Sequence, residues 1–299
     1  MPKVSICIPT YEQPENLKKC LESIELQTFK NFEVIITDDS KSDNLLSVVN
    51  AFKRKINIKY YKNSLAKGSP ENWNESLRYA KGKYIKILHH DDYFTFNDSL
   101  EKMVKLLDEN PKNKILFCSS KHVNSDFKYH SSHILNHQNM EKIKYNPNIL
   151  FFGNLIGAPS VMMYHNGINL AFDQRMKWLV DIDFYIRILK ENNFTYTKEE
   201  LISINLGEEN RVTYQCENDK EVNLYEHMIL FEKLNLQKIP FQFKFFFIVF
   251  YLKFDIKTYN EIDKFNVNCY GNDFKQIFAI VSLLRPIYKI YKRFRYVVK

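Results

Sequence analysis

The chain has 299 residues, of which 45% are hydrophobic and 26% are charged. These proportions are ordinary for a folded globular protein and exclude a disordered chain. The net charge of +8 lies almost entirely in residues 274–299, which carry seven basic residues and no acidic one. Because the rest of the chain is nearly neutral, we expect no nucleic-acid partner.

The cysteines and the apolar stretches bear on location. Five cysteines are present, an odd number with no C-x-x-C pair, which favours a reducing compartment. The chain opens directly into a strand-like segment, so we expect no secretory leader. The longest uncharged apolar stretches fall short of the roughly 18 residues that a membrane span requires. We therefore expect a cytoplasmic protein.

Strand-like and helical segments alternate along the first 119 residues. The predicted strands cover residues 4–9, 32–37, 56–61, 84–88 and 115–119. The intervening helices begin near Pro14 and Ser42 and then cover residues 71–80 and 99–109. This alternation predicts an α/β fold with a mainly parallel central sheet flanked by helices on both faces. In such folds ligands bind at the carboxyl ends of the strands.

Polar residues follow three of the predicted strands, and each group alone is compatible with an ordinary turn or helix cap. The fold rule, however, brings such strand ends towards one crevice. No glycine-rich phosphate loop follows the first strand, so a standard dinucleotide site is not expected. A divalent metal on the carboxylates after the fourth strand could instead neutralise a bound diphosphate. The groups are Thr10, Tyr11 and Glu12, then Asp38 and Asp39, then His89, His90, Asp91 and Asp92.

Four ordered blocks, at residues 4–11, 26–40, 80–92 and 180–187, resemble the family 2 glycosyltransferases. These are nucleotide-sugar enzymes with the GT-A fold. The resemblance implies an inverting transfer from a nucleotide-diphosphate sugar, with a UDP-sugar favoured, to a hydroxyl of a glycan or lipid-linked glycan. It also implies a role in surface polysaccharide synthesis and a Mg²⁺ or Mn²⁺ cofactor.

The resemblance also carries functional roles onto matching positions. It implies that Asp91 holds the metal, with Asp92 as a second ligand or orienting group, and that Asp181 is the catalytic base, with Asp183 as second candidate. The base of the nucleotide is expected to hydrogen-bond Asp39. The residues expected to line the nucleotide pocket are Pro9, Thr10, Tyr11, Glu12, Asp39 and His90.

Two positions depart from the family pattern, which leaves a second hypothesis open. His89 stands where the first aspartate of the metal motif is common, and Val180 replaces the glutamate that usually precedes the base. A catalytically inactive nucleotide-sugar-binding or scaffold protein of the same fold is therefore the alternative. A nucleotidyltransferase is a weaker third possibility, since no glycine-rich basic loop follows the first strand. A zinc site at the two histidines is not favoured, because no further His or Cys stands at ligand spacing nearby.

The helix predicted over residues 179–189 separates the two candidate bases. Asp181 and Asp183 lie about 200° apart around such a helix, so only one of them can face the substrate. Asp181 lies in the first turn, where the helix N-terminus favours its ionised form. Trp178, just before, could stack on a sugar or belong to the core, and Arg211 could close over the diphosphate, although solvent exposure is the favoured interpretation.

The C-terminal third differs in composition from the rest. We expect a catalytic domain over residues 1–215 and a helical, aromatic-rich and basic region over residues 216–299. The last helix places basic residues such as Arg285 and Lys289 beside an apolar stripe. This pattern is typical of a helix at an anionic membrane surface, and the inner face of the plasma membrane is the surface that we expect. Packing against the catalytic domain or a second copy is the alternative.

Overall fold

The computed structural model describes residues 1–207, 216–263 and 271–297. The chain divides into two compact units, Met1–Tyr214 and Gln215–Lys299. The first unit contains the sheet and the helices around it, and the second unit is helical. Which unit carries which role stays a prediction from the sequence.

Within the described residues the first unit forms one sheet of nine strands. Its spatial order is β3-β2-β1-β4-β8-β6-β9-β5, and β7 pairs with β6 outside this path. The strands are β1 (Val4–Thr10), β2 (Phe32–Asp38), β3 (Ile58–Lys62), β4 (Tyr84–Ile87), β5 (Tyr93–Phe94), β6 (Ile115–Val123), β7 (Tyr129–His133), β8 (Met162–His165) and β9 (Phe194–Asn205).

The predicted α/β architecture is confirmed, and among the described strands four pairings are parallel and four are antiparallel. β1 pairs in parallel with both β2 and β4, β2 pairs in parallel with β3, and β6 pairs in parallel with β9. β8 runs antiparallel between β4 and β6, and β5 and β7 are also antiparallel to their partners. The carboxyl ends of β1, β2 and β4 therefore lie side by side at one edge of the sheet.

Six α-helices connect these strands in the described part of the first unit. Their buried faces follow the predicted spacing: Leu17, Cys20, Leu21 and Ile24 of the first helix are fully buried. Such apolar faces at helical spacing cover the sheet and remove its strands from water. The helices are α1 (Pro14–Glu25), α2 (Asn44–Phe52), α3 (Ser69–Arg78), α4 (Ser99–Glu109), α5 (His137–Tyr145) and α6 (Val180–Glu191).

The second unit packs its helices around aromatic side chains. The helices are α7 (Lys220–Lys233), α8 (Phe241–Lys253), α9 (Asn260–Asp263) and α10 (Gly271–Val297). Phe247 is fully buried, with its ring 5.1 Å from Phe231 and 5.2 Å from Phe274. Across the portions of the chain that are described, no helix combines the length and apolar character needed to cross a bilayer.

Candidate active site

The strand ends that the sequence singled out are brought together by direct contacts. The backbone N–H of Asp39, after β2, donates to the carbonyl of Thr10 at the end of β1 (3.0 Å). His90, after β4, places Nδ1 3.3 Å from the carbonyl of Pro9, and its Nε2 lies 2.9 Å from Oε1 of Gln13. The two ring nitrogens of His90 thus lie against β1 and against the residue that precedes α1, and the three strand ends form one polar edge.

Glu12 organises the loop that follows β2. Its backbone adopts a left-handed conformation with φ of 52°, and its N–H donates to Ser40 Oγ (2.6 Å). Its carboxylate accepts from the hydroxyl of Ser42 (2.7 Å) and from the N–H of Lys41 (2.9 Å). The hydrogen bond from Ser42 is the main reason that the pKa of Glu12 lies below its usual value. Glu12 therefore anchors a loop in this structure; its predicted nucleotide contact stays a prediction.

Asp39 plays a similar part for the loop before α3. Its side chain is buried and accepts from Asn63 Nδ2 (2.6 Å), from the N–H of Lys67 (3.1 Å) and from the N–H of Gly68 (2.9 Å). Gly68 has a φ of 82°, which favours glycine. The structure thus gives Asp39 a loop-ordering role that the sequence did not suggest, and its contact to a base stays a prediction. Tyr11, in contrast, is 50% exposed at the mouth of this edge.

Three side chains after β4 form a cluster that could hold a metal ion. One ligand atom from each of His89, Asp91 and Asp92 lies within 4.8 Å of the others. Asp92 is buried, whereas His89 and Asp91 are half-buried. Two carboxylates and an imidazole are a donor set that divalent cations accept, so these residues fit the cofactor that the sequence implies.

The turn that carries this cluster is tied to the short helical segment Pro159–Val161. The N–H of His89 donates to Ser160 Oγ (2.9 Å), and the ammonium group of Lys86 donates to the Ser160 carbonyl and to the carbonyl of Ile87 (2.9 Å). Lys86 is fully buried in β4, and this burial lowers its pKa to about 8. Burying an ammonium group costs free energy unless hydrogen-bond acceptors surround it. The two carbonyl partners of Lys86 meet this need, and the one on Ser160 ties β4 to the segment Pro159–Val161.

Asp181 is held in place by a neighbouring loop. It lies half-buried in the first turn of α6, and its Oδ2 accepts a 2.7 Å hydrogen bond from Asn154 Nδ2. Asn154 also accepts from the N–H of Gly157 (2.9 Å). Tyr185, one turn further along α6, donates to the Gly157 carbonyl (3.1 Å). Gly157 has a φ of 108°, so a side chain there would strain the turn that supports Asn154.

Asp183, the second candidate base, has a different environment. It is fully buried and accepts from Nε (2.8 Å) and from a terminal nitrogen (2.6 Å) of Arg187. The same guanidinium group donates to the carbonyl of Ala171 (2.8 Å). Asp183 is therefore the buried member of an ion pair with the half-buried Arg187, and this pair joins α6 to the preceding segment. Because Asp183 is buried and paired whereas Asp181 is half-buried, Asp181 is the better placed of the two to reach a substrate.

Sequence reasoning missed three residues of this region. The sequence pattern places Lys86 only within an apolar strand, and it assigns no role to Asn154 or Ser160. A lysine between Ile85 and Ile87 in a central strand was the available signal, whereas nothing local marks Asn154. Trp178, just before α6, is half-buried. The prediction for Arg211 lies outside the described residues.

Several curated proteins resemble the chain. An uncharacterized glycosyltransferase of Rickettsia typhi is 27% identical over 209 residues, covering 67% of this chain and 63% of that protein. The chain thus spans just under two thirds of that relative. A UDP-Glc:alpha-D-GlcNAc-diphosphoundecaprenol beta-1,3-glucosyltransferase of Escherichia coli, WfgD, is 29% identical, covering 64% of this chain and 72% of that protein. A GalNAc(5)-diNAcBac-PP-undecaprenol beta-1,3-glucosyltransferase of Campylobacter jejuni is 40% identical over 94 residues, 31% of this chain and 30% of that protein.

Solved structures share the fold. TarS residues 1–349 of S. aureus in complex with UDP-GlcNAc match with a TM-score of 0.64 at 18% identity, covering 97% of this chain and 87% of that chain. The mannosyltransferase PcManGT of Pyrobaculum calidifontis, in complex with GDP-Man and Mn²⁺, matches with a TM-score of 0.56 at 15% identity. The match covers 80% of this chain and 66% of that chain. The family model for glycosyl transferase family 2 matches residues 5–170, more than half of the chain. The chain therefore belongs to the family 2 glycosyltransferases and has the GT-A fold.

Proposed function

We propose that the chain is an inverting glycosyltransferase that uses a nucleotide-diphosphate sugar and a metal ion. The observation that carries the proposal is the placement of Asp181. A hydrogen bond from Asn154 orients its carboxylate, and the same loop continues to Ser160, which binds the turn of the metal cluster. One continuous segment thus links the candidate base to the candidate donor site.

The proposed reaction is a single displacement at the anomeric carbon of the donor sugar. Asp181 accepts the proton of an acceptor hydroxyl while that oxygen forms a bond to the anomeric carbon. The bond from this carbon to the β-phosphate oxygen breaks, the nucleoside diphosphate leaves with the electron pair, and the configuration is inverted. A Mg²⁺ or Mn²⁺ ion bound at Asp91 and Asp92 would offset the charge that develops on the diphosphate. The half-buried position of Asp181 leaves it accessible to a substrate.

For the donor we propose a UDP-sugar, and for the acceptor a lipid-linked glycan. The donor proposal is supported by the UDP-GlcNAc in the TarS structure and by the UDP-Glc in the description of WfgD. The acceptor proposal is supported by the undecaprenol-linked acceptors in the descriptions of the E. coli and Campylobacter relatives. Surface polysaccharide synthesis in the cytoplasm, at the inner face of the plasma membrane, is the setting in which these substrates would meet.

The outer face of α10 is our candidate for contact with that membrane. The inner face of this helix is buried through Phe274 and Val281, whereas Leu283 is 76% and Ile287 is 66% exposed. Exposed lysines such as Lys289 stand on the same helix, and each basic residue near anionic lipid contributes about 1 kcal/mol. The exposed apolar side chains recur at helical spacing and are Ile280, Leu283, Leu284, Ile287, Ile290 and Tyr291.

Vesicle co-sedimentation tests this contact. We expect the full chain to bind vesicles that contain phosphatidylglycerol and to bind those of phosphatidylcholine more weakly. The double variant Leu283→Glu/Ile287→Glu should abolish binding while leaving the circular dichroism spectrum unchanged. A wild-type chain that dimerises in sedimentation equilibrium and binds neither vesicle would overturn the proposal.

The enzymatic proposal is tested first on the donor. A thermal-shift screen of nucleoside diphosphates and nucleotide sugars, with and without Mn²⁺, should identify UDP-sugars as the stabilising class. Incubation with the best donor should then release UDP slowly in a metal-dependent manner, and NMR of the transferred product should show an inverted anomeric configuration. The departures at His89 and Val180 are the reason to test the alternative of an inactive binding protein, and donor binding without any release of UDP would support that alternative.

A further inference from the structure

We infer that His89 is a third ligand of the metal ion, so that the site has one nitrogen and two carboxylate donors. The inference rests on the proposed function, which already assigns Asp91 and Asp92 to the metal. It adds a ligand at the position where His89 replaces an aspartate. The residue that departs from the family pattern would then be part of the metal site.

The geometry of the turn supports this role. A ligand atom of His89 lies within 4.8 Å of both carboxylates. Ligands bound at about 2.1 Å lie within about 4.2 Å of each other, so only a small contraction is needed for all three to reach one ion. The cluster thus has nearly the spacing of a coordination shell.

Two contacts fix the position of His89, one at its backbone and one at its ring. Its backbone N–H is bonded to Ser160 Oγ, and the ring packs on Trp73 with centroids 4.5 Å apart. Trp73 is itself fixed by an edge contact with Phe172, with centroids 5.0 Å apart. This packing limits the rotamers of His89, and a ligand that is oriented before the metal arrives loses less entropy on binding.

The neighbouring histidine provides a contrast. His90 is not part of the cluster, because its two ring nitrogens lie against the Pro9 carbonyl and Gln13 Oε1. The two adjacent histidines are therefore separated in function by the turn: His90 connects β4 to β1, and His89 faces the carboxylates. His90 supplies a matched control for any measurement that detects a histidine nitrogen.

An imidazole donor changes the metal preference of the site. Carboxylate oxygens suit Mg²⁺ and Mn²⁺. The affinity of a site with an imidazole donor rises from Mn²⁺ through Fe²⁺ to Co²⁺. We expect the protein to bind Co²⁺ and Mn²⁺ in preference to Mg²⁺. The variant His89→Asp, which restores the common family residue, should reduce this preference by about tenfold, measured as the ratio of Mg²⁺ to Co²⁺ dissociation constants.

Pulsed electron paramagnetic resonance of bound Mn²⁺ in the presence of UDP tests the ligand directly. The wild-type protein should show ¹⁴N modulation from a coordinated imidazole; His89→Asn and His89→Asp should lose it, and His90→Asn should keep it. Bound Mn²⁺ without ¹⁴N modulation in the wild type, or with modulation that persists in His89→Asn, would overturn the inference.

The outcomes for the ligand and for the enzyme are separable. Metal-dependent sugar transfer without ¹⁴N modulation would contradict the role of His89 and leave the proposed function standing. ¹⁴N modulation without any transfer or donor hydrolysis would support the ligand and contradict the enzyme. Circular dichroism of each variant establishes that it is folded before its metal binding is compared.

Discussion

Asn154 donates a 2.7 Å hydrogen bond to Asp181, 27 positions further along the sequence, and this contact orients the carboxylate of the candidate base. An amide donor favours the ionised carboxylate without adding charge. Asn154 is held in turn by the Gly157 turn, which Tyr185 of the same helix also binds. The orientation of the Asp181 carboxylate therefore depends on this loop, since Val180 stands where a glutamate is common in the family.

Replacing Asn154 with aspartate should change the pH dependence of the reaction. The substitution keeps the acceptor oxygen for the Gly157 N–H but places a like charge beside Asp181, which raises the pKa of the pair. We expect the acid limb of the kcat/KM profile to move up by about one pH unit or more, with a larger loss of activity at pH 6 than at pH 8. Asn50→Asp, which adds the same charge to an exposed position of α2, should leave the profile in place. An unshifted profile in Asn154→Asp would remove Asn154 from the site.

Removing Arg187 should affect folding more than catalysis. Its guanidinium group is 25% exposed and neutralises the fully buried carboxylate of Asp183, and removing the partner of a buried charge costs about 3 kcal/mol. We expect Arg187→Met to lower the free energy of unfolding in urea by about that amount, while turnover per folded molecule stays within a few-fold of wild type. Normal stability combined with lost turnover would instead place Asp183 and Arg187 in the reaction.

Lys86 makes stability depend on alkaline pH. Its pKa of about 8 in the folded state is below the value of about 10.4 for an unfolded lysine, so the folded state binds fewer protons between these values. The contribution of Lys86 to stability must therefore rise with pH. Relative to Lys86→Met, the wild type should gain about 2 kcal/mol between pH 7.5 and 9.5, measured by urea unfolding with a chelator present. A difference between the two proteins that stays constant with pH would show that Lys86 titrates normally.

The part of the fold that could be predicted is the part with local signals. β1, β2 and β4 are short apolar runs, and α1 buries one face at regular spacing, so hydrophobic periodicity finds them. β3 begins at Ile58, two residues after the predicted start, a shift within the ordinary uncertainty of element boundaries.

The elements that were missed depend on distant pairing. β5 has two residues and exists because Tyr93 and Phe94 pair with Ser203 and Ile202 of β9. β7 is a polar, largely exposed strand that follows a hairpin from β6, and its sequence has no apolar alternation. Only the apolar end of β9, residues 201–205, has the pattern of a strand in the sequence, because the first half of β9 is polar. The antiparallel direction of β8 likewise follows from tertiary packing.

The candidate site divides in the same way. Polar groups at three strand ends were predictable because the order of strands and helices along the chain implies where these ends meet. The partners that hold those groups were not, because Asn154 and Ser160 reach Asp181 and His89 from a loop distant in sequence. The roles of these residues in binding and catalysis were predicted from the family resemblance, because no local pattern in the sequence indicates them.

The turnover of Asp181→Asn tests whether Asp181 is the base of a sugar transfer. This variant retains the shape of the side chain and an oxygen that can face Asn154, but it cannot accept the proton. We expect kcat to fall by about 100-fold or more, with an unchanged thermal shift on addition of UDP and Mn²⁺. Transfer activity within a few-fold of wild type, in a variant that binds donor normally, would show that Asp181 is not the base.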